Sequence, residues 1–388
     1  MLRSGQPGNV TWKTPSVRVL ICPDKFAGTL SAVAAAEAIA AGWAAAKPGD
    51  ELLQRPLADG GPGFLDVVAA AGTGRRIPVA TVDPLGRPTA GEVLVTGATG
   101  YLESTQACGL HLLRPEERNP RITTSYGLGI LLAHAVETGV REIVIGLGGS
   151  ATNDAGAGML AALGAPALDS AGYALPYGGA ALVHAERLDG SPRLRDVRLV
   201  AATDVDSPLT GLHGASAVYG PQKGATREDV LLLDAALERY ATVLETLPTC
   251  PPGLAGLPGA GAAGGLGAAL LALGGRVVSG IGLVRELTGL DRALDTVDLV
   301  LTGEGSFDAQ SLRGKVVAGV AEGARDRGLP CLVLAGQASA GRREAAAAGV
   351  TETYTLVSHF ADLDRALAHP AEGLYAMARR LAGQWSRG

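Results

Sequence analysis

The first ordered pattern in the chain is Val17-Arg18-Val19-Leu20-Ile21-Cys22, a short apolar run that Pro23 ends. A run of this length bounded by turn residues predicts a buried strand. Behind it, Thr29 or Ser31 is placed to cap an Ala-rich helix over about Ser31–Ala46. The last third of the chain repeats the rhythm. Leu299–Leu301 predicts a strand, followed by Gly-rich Thr302–Gly305 and a helix near Gly314–Arg327. Cys331–Ala335 predicts a strand with a helix near Arg342–Ala348, and Thr353–Ser358 a strand with a helix over about Pro370–Trp385. Strands alternating with helices mean a parallel sheet with right-handed crossovers. Three strands are few for a doubly wound sheet, and the opening strand supplies a fourth. One domain is therefore expected to be discontinuous, its first strand at the start of the chain and the rest at the end.

The middle reads differently. Ile77–Val82, Gly91–Val95 and Tyr101–Glu103 are separated by turn signals such as Asp83-Pro84-Leu85-Gly86, a mixed or antiparallel pattern. A helix at Gly127–Thr138, a strand at Glu142–Ile145, a helix at Gly156–Leu163, a strand at Val197–Ala202 and a long helix at Arg227–Leu247 follow. The expected division is a flexible leader at 1–16, a parallel-sheet domain of 17–74 plus 286–388, and an inserted α/β domain at 75–285. No solenoid repeat is visible.

Composition narrows the classes. The chain is 47% hydrophobic but only 4% aromatic, so Ala, Leu and Val must fill the core. Glycine accounts for 56 of 388 residues, about twice the usual ~7%, so it must be shaping loops within a folded protein. The net charge of −5 and the absence of a basic stretch disfavour nucleic acid as partner. The most apolar helical stretch, Val33–Ala46, carries Glu37 and is shorter than the ~20 residues of a bilayer span. No signal-peptide pattern opens the chain. Cys22, Cys108, Cys250 and Cys331 have no CxxC spacing and read as thiols in a reducing compartment. A cytoplasmic protein without a membrane partner is expected.

In open α/β sheets, ligands bind beyond the carboxyl ends of strands, and five segments stand at such places. Asp24 and Lys25 follow the opening strand, either as a carboxylate and ammonium at a functional edge or as a solvated turn. Asp59-Gly60-Gly61 is a turn signal that also carries a carboxylate. The run Gly146–Gly158 lies between a strand and a helix. Gly148 and Gly149 let backbone N–H groups approach an anion, and Ser150, Thr152 and Asn153 add neutral donors ahead of Asp154. Asp204 and Asp206, two apart on an extended segment, share a face and are candidates for a hydrated Mg²⁺, which takes one or two carboxylates plus phosphates. Asp-Ser-Pro is equally ordinary turn chemistry. Lys223, between glycines, is a candidate phosphate contact. Glu304 and Asp308 flank Gly-rich backbone past another strand. Gly259, Gly261 and Gly264, with Gly265, match GxGxxG, but no strand precedes them, so a flexible phosphate-contacting loop or hinge is expected there.

The absences matter too. There is no GxxxxGK[ST] loop, no GxSxG elbow and no spacing of a His-based triad. Glycine-rich anion cradles, carboxylates and two lysines remain, the parts that phosphoryl transfer requires.

Taken together, CPDKFAGTLSA (22–32), PLADGGPGFLD (56–66), RNPRITTSYGLG with GLGGSATNDAGAGMLAALGA (within 119–165), ATDVDSPLTG (202–211), ASAVYGPQKGAT (215–226), PGAGAAGGLGAALLA (258–272) and DLVLTGEGSFDAQSLRGK (298–315) resemble the type I glycerate kinases, in that family's order, across about residues 17–385. The resemblance implies two α/β domains, one of them flavodoxin-like, with the site in a cleft. It implies transfer of the ATP γ-phosphate to D-glycerate, usually giving 2-phosphoglycerate, with Mg²⁺ as cofactor and a homodimer as a candidate assembly. On that reading Asp204 binds metal or accepts the hydroxyl proton, with Asp154 the second candidate. Lys25 and Lys223 neutralise phosphate or carboxylate, and Asp24, Asp59, Ser150 and Asn153 contact substrate. Gly148, Gly149, Thr152, the Gly259–Gly265 loop and Glu304 contact nucleotide, and Asp206 and Asp308 join Asp204 as metal ligands. Ala27 stands where the family often carries a second lysine. A kinase of a related hydroxy acid, formation of 3-phosphoglycerate, and a non-catalytic ligand sensor are the alternatives. An NAD-dependent dehydrogenase ranks last.

Overall fold

The computed structural model describes residues 16–26, 28–312 and 316–386. Ala27, residues 1–15 of the expected leader and the first two residues of the helix expected from Gly314 lie outside the described residues. The chain begins with β1 (Arg18–Ile21), the helix Ala32–Ala46 and β2 (Glu51–Gln54). It continues through β3 (Arg75–Val82), β4 (Pro88–Thr96), β5 (Thr99–Glu103), β6 (Glu142–Gly146), the short pair β7 (Ala167–Leu168) and β8 (Arg187–Leu188), β9 (Arg198–Ala202) and β10 (Arg276–Val278). It ends with β11 (Leu299–Phe307), β12 (Cys331–Ala338) and β13 (Glu352–Thr355), each followed by helices.

Of the described residues, 16–56, 291–312 and 317–386 form one compact unit, and Leu57–Leu290 with Val316 form the other. Segment 57–74, expected with the parallel sheet, thus packs with the inserted unit instead. The reason is contact: Gly60 lies against the end of β9, and Phe64 stacks near Tyr101 of β5.

The first unit is a five-stranded parallel sheet in the order β13-β12-β11-β1-β2. Read from β2, this is the 2-1-3-4-5 order of flavodoxin-like folds, with its topological switch between β1 and β11. Val19, Leu20 and Ile21 are fully buried, as a central parallel strand covered on both faces requires. Ser31 accepts a hydrogen bond from the Ala34 amide (3.2 Å) and starts the helix Ala32–Ala46. That helix packs on the C-terminal helix Pro370–Trp385 so closely that a Cβ at Gly42 would stand 2.1 Å from the Tyr375 carbonyl oxygen.

Two expectations fail here. Thr302–Gly305 is not a loop: β11 runs on to Phe307, because Gly303 and Gly336 remove side chains where β11 and β12 touch. Strand β13 stops at Thr355, where the Thr355 hydroxyl accepts from the Ser358 amide and begins the helix Leu356–Phe360.

The second unit carries a six-stranded sheet in the order β10-β9-β6-β5-β4-β3. Its β10, β9, β6 and β5 are parallel, and β4 and β3 complete it as antiparallel strands. One core lies under the helix Tyr126–Glu137. A second packs beneath the helix Arg227–Leu244, centred on Leu237 and Tyr240. Among the described residues no helix is long and apolar enough to cross a membrane.

The packing sets a paired prediction. Alanine is a better helix former than glycine by about 1 kcal/mol, but overpacking costs about 1–3 kcal/mol. At Gly42 the clash is with backbone and wins, so Gly42→Ala lowers the melting temperature. Gly383→Ala, on an open stretch of the C-terminal helix with nothing within 4 Å of the added carbon, raises it slightly. Thermal denaturation of the two variants checks both signs.

Candidate functional site

In the second unit, the parallel strands β5, β6, β9 and β10 end side by side, and polar residues follow every one of them. Asp204 lies just beyond β9. Its Oδ1 accepts from the Ser279 hydroxyl (2.7 Å) and its Oδ2 from the Ile281 amide (3.0 Å), at the N-terminus of the helix Gly280–Thr288. The residue keeps an exposed edge, yet burial of the carboxyl raises its pKa above the usual aspartate value, and the negative charge of Asp59 adds to that rise. The Ser279 and backbone donors pull the other way without cancelling it.

Asp59 reaches this place through a turn in which its Oδ1 accepts from the Gly61 amide (3.0 Å). Gly60, at φ +88°, lies on the Ala202 carbonyl, and Gly280 lies on the Asp59 carbonyl; a Cβ would stand 2.6 Å and 2.2 Å from those oxygens. Glycine is required at both positions. Asp206 is exposed.

Glu103, at the end of β5, escaped the sequence reading. It is 7% exposed. It accepts from the Gly63 and Leu65 amides (3.0 and 3.3 Å) and from the Thr105 hydroxyl (2.6 Å), fixing the start of the helix Phe64–Ala71. Burial raises its pKa. The signal available was an acidic residue closing the apolar run Tyr101-Leu102.

The glycine-rich run after β6 is used from within. Gly148 and exposed Gly149 (φ +63°) lie beside Gly61 and Pro62. Asp154 is fully buried; its Oδ2 accepts from the Ser125 amide and hydroxyl (both 2.8 Å) and the Gly158 amide (3.2 Å), and its Oδ1 from the Gly156 amide (3.3 Å). That carboxylate braces the start of the helix Tyr126–Glu137 against the helix Ala157–Ala162. Asn153, also fully buried, donates to the Ser216 hydroxyl (2.9 Å).

Lys223 was expected to meet a phosphate. It is instead 2% exposed, and its ammonium donates to the Ser150 hydroxyl (3.0 Å) and the Thr152 carbonyl (2.7 Å). Burial lowers its pKa to about 7, against the opposing pull of Asp154 and Cys108. Gly259, Gly261, Gly264 and Gly265 are likewise buried under protein: a Cβ at Gly264 would lie 1.9 Å from the Thr152 carbonyl oxygen, and one at Gly261 2.2 Å from that of Pro208. The expected flexible loop is tightly packed and runs into the helical segment Ala262–Ala272, which is kinked in its first turn where Ala263, Gly264 and Gly265 are left-handed.

In the first unit, the switch between β1 and β11 is held by the Asp24 amide donating to the Gly303 carbonyl (2.8 Å) and by the Thr302 hydroxyl donating to the Cys22 carbonyl (2.9 Å). Asp24 and Glu304 are each 8% exposed. The Lys25 ammonium lies 3.7 Å from Asp24 Oδ1, which also accepts from the Lys25 amide (2.7 Å). Asp308 uses its Oδ1 to organise the turn after β11, accepting from the Gln310 and Ser311 amides (2.7 and 3.2 Å). Among the described residues no three His, Cys, Asp or Glu side chains converge as a metal cage. A Mg²⁺ that arrives on a nucleotide needs only one or two carboxylates.

Acidic residues gathered at the carboxyl ends of parallel strands, in each of two α/β units, define an α/β protein built around small ligands. The chain belongs to the glycerate kinase family, whose profile matches residues 19–386. It is 39% identical to the glycerate kinase of Halalkalibacterium halodurans over 95% of this chain and 99% of that protein. It is 37% identical to the glycerate 2-kinase of Escherichia coli K12 over 94% and 97%. A crystal structure from Salmonella typhimurium LT2, provisionally described as glycerate kinase 2, superposes with a TM-score of 0.79 at 38% identity, covering 95% of this chain and 98% of that one.

The buried lysine gives a stability signature. Below pH about 7 the amine is charged in folded and unfolded chains alike, and its burial penalty is complete. Above that pH the folded amine is neutral while the unfolded one stays charged up to ~10.4, so the unfolded chain binds more protons and stability rises with pH. The expected contribution is about 1.4 kcal/mol per pH unit. Denaturant unfolding of wild type and Lys223→Met between pH 6.5 and 9 checks it: the wild type gains stability relative to the variant as pH rises. Parallel pH dependences contradict the assignment.

Proposed function

We propose that this chain is an ATP- and Mg²⁺-dependent kinase that phosphorylates D-glycerate at its 2-hydroxyl, giving 2-phosphoglycerate. Family membership and the E. coli relative named glycerate 2-kinase support the substrate and the position. The observation that carries the chemistry is Asp204: a carboxylate of raised pKa, at a strand end beside a second carboxylate, on the N-terminus of a nine-residue helix. Raising a carboxylate's pKa makes it a better acceptor for an alcohol proton. Phosphoryl transfer itself asks mostly for positioning and charge neutralisation.

In this reading Asp204 accepts the hydroxyl proton, and Asp59 holds its pKa up and contacts the acid substrate. Lys25 neutralises phosphate, and Asp24, 3.7 Å from its ammonium, orients it and contacts substrate. The backbone at half-buried Gly148 and exposed Gly149 in the second unit, and the Glu304 carboxylate in the first, contact nucleotide. In the second unit exposed Asp206, two residues after Asp204, is an oxygen donor of the kind Mg²⁺ takes, and in the first unit Asp308 is another. These carboxylates would hold the ion, which would supply positive charge to offset that of the phosphates. Asp154, Asn153 and Lys223 act from inside, holding the 146–158 segment in shape.

Asp204→Asn keeps hydrogen-bond acceptance toward Ser279 but cannot take a proton. Its kcat for ADP release with D-glycerate falls by about two orders of magnitude or more, with an unchanged circular dichroism spectrum. Near-normal kcat removes Asp204 from the chemistry. Phosphorus NMR of the product is expected to show 2-phosphoglycerate; 3-phosphoglycerate contradicts the stated position.

A further inference from the structure

The first unit contains a recess that none of these roles uses. It has a volume of about 160 Å³ and opens at the carboxyl ends of β11 and β12. Its floor is bare backbone. Gly305 and Gly336 lie side by side there, and a Cβ on Gly336 would come within 2.3 Å of the Gly305 carbonyl oxygen. Its walls are apolar: Phe26 from the loop after β1, Leu356 from the start of the helix Leu356–Phe360, and Leu363, Ala366 and Leu367 from the helix Leu363–Ala368. Leu363 and Leu367 are 49% and 52% exposed at the mouth. The rim carries amide and hydroxyl groups, Gln337 and Ser306, whose Nε2 and Oγ lie 3.5 Å apart.

We infer that this slot binds the purine ring of the nucleotide; the inference rests on the kinase reading and gives it a base-binding site. An apolar cavity of about 150 Å³ takes up a single aromatic ring, whereas pockets for whole drug-sized ligands measure ~300–1,000 Å³. The slot therefore suits a flat ring whose remaining atoms stay outside. A side-chain amide at the rim matches the donor–acceptor edge of adenine, the pairing that Asn and Gln make with that base. The loop that supplies Phe26 to the recess also carries Lys25, whose ammonium lies 3.7 Å from Asp24. The slot lies next to the switch between β1 and β11, where mononucleotides dock on sheets of this order.

The test uses the full-length protein and 8-azido-ATP, with photolysis and peptide mapping, alongside ADP release with D-glycerate. ATP-protectable label is expected within 26–30, 336–337 or 356–367. Label confined to Leu57–Leu290 with ADP release intact overturns the slot and leaves the kinase reading standing. Protectable label in the slot without ADP release from D-glycerate does the reverse, and neither label nor turnover overturns both. Leu367→Asp, at a half-exposed position where folding is retained, supplies the second readout. The KM for ATP rises about tenfold or more, the loss expected for ~1.4 kcal/mol of binding, while the KM for D-glycerate holds. An unchanged KM for ATP in a variant of normal melting temperature overturns the assignment.

Discussion

Backbone resting on backbone, with no Cβ between, is the constraint from which the second unit's polar edge is built. Gly60 sits on the end of β9, Gly280 on the Asp59 carbonyl, and Gly146 on the Gly60 carbonyl at a distance where a Cβ would come to 2.4 Å. These contacts press the 57–63 loop onto the strand ends. The consequence is electrostatic: two carboxylates, 145 positions apart in sequence order between Asp59 and Asp204, feel one another. Glycine supplies this closeness at an entropic cost on folding.

The same economy of side chains shapes the interior. Asp154, Lys223, Ser125, Ser150 and Asn153 form a buried polar layer that ties the 146–158 segment to three neighbouring segments. Buried polar groups carry a heavy desolvation cost unless bonded, and Asp154 is bonded through both oxygens. They hold the backbone at Gly148 and Gly149 in place, which the proposed function uses as a surface already set.

Strand β1 and the helix Pro370–Trp385 follow directly from local pattern, because a short apolar run ended by Pro23 and a 3.6-residue periodicity begun at Pro370 each carry their own boundaries. The parallel sheet of the discontinuous unit followed from the strand–helix rhythm at the two ends of the chain, and its flavodoxin-like character from the family resemblance. Glycine was the recurrent source of error. At 302–305 and 258–265 it suggests loops, whereas there it permits a strand to pair closely and a helix to start against Thr152. The local pattern is the same in both uses; only the neighbour distinguishes them. Strand β2 was missed since Glu51 and Gln54 bound only two apolar residues. At the candidate site, the positions of Asp204 after a strand and of Asp59 in a turn were legible in the local pattern. That Asp154 and Lys223 face inward depends on contacts with Ser125, Ser150 and Thr152 that no spacing rule encodes.

The closeness of Asp59 to Asp204 is the part of the account most open to direct test. The pH dependence of kcat/KM for D-glycerate reports the ionisation of the free enzyme. With Asp59→Asn the neighbouring negative charge is gone, so the carboxyl of Asp204 loses part of its upward shift. The acid limb of the profile then moves to lower pH than in the wild type. An acid limb that stays in place in this variant contradicts the account.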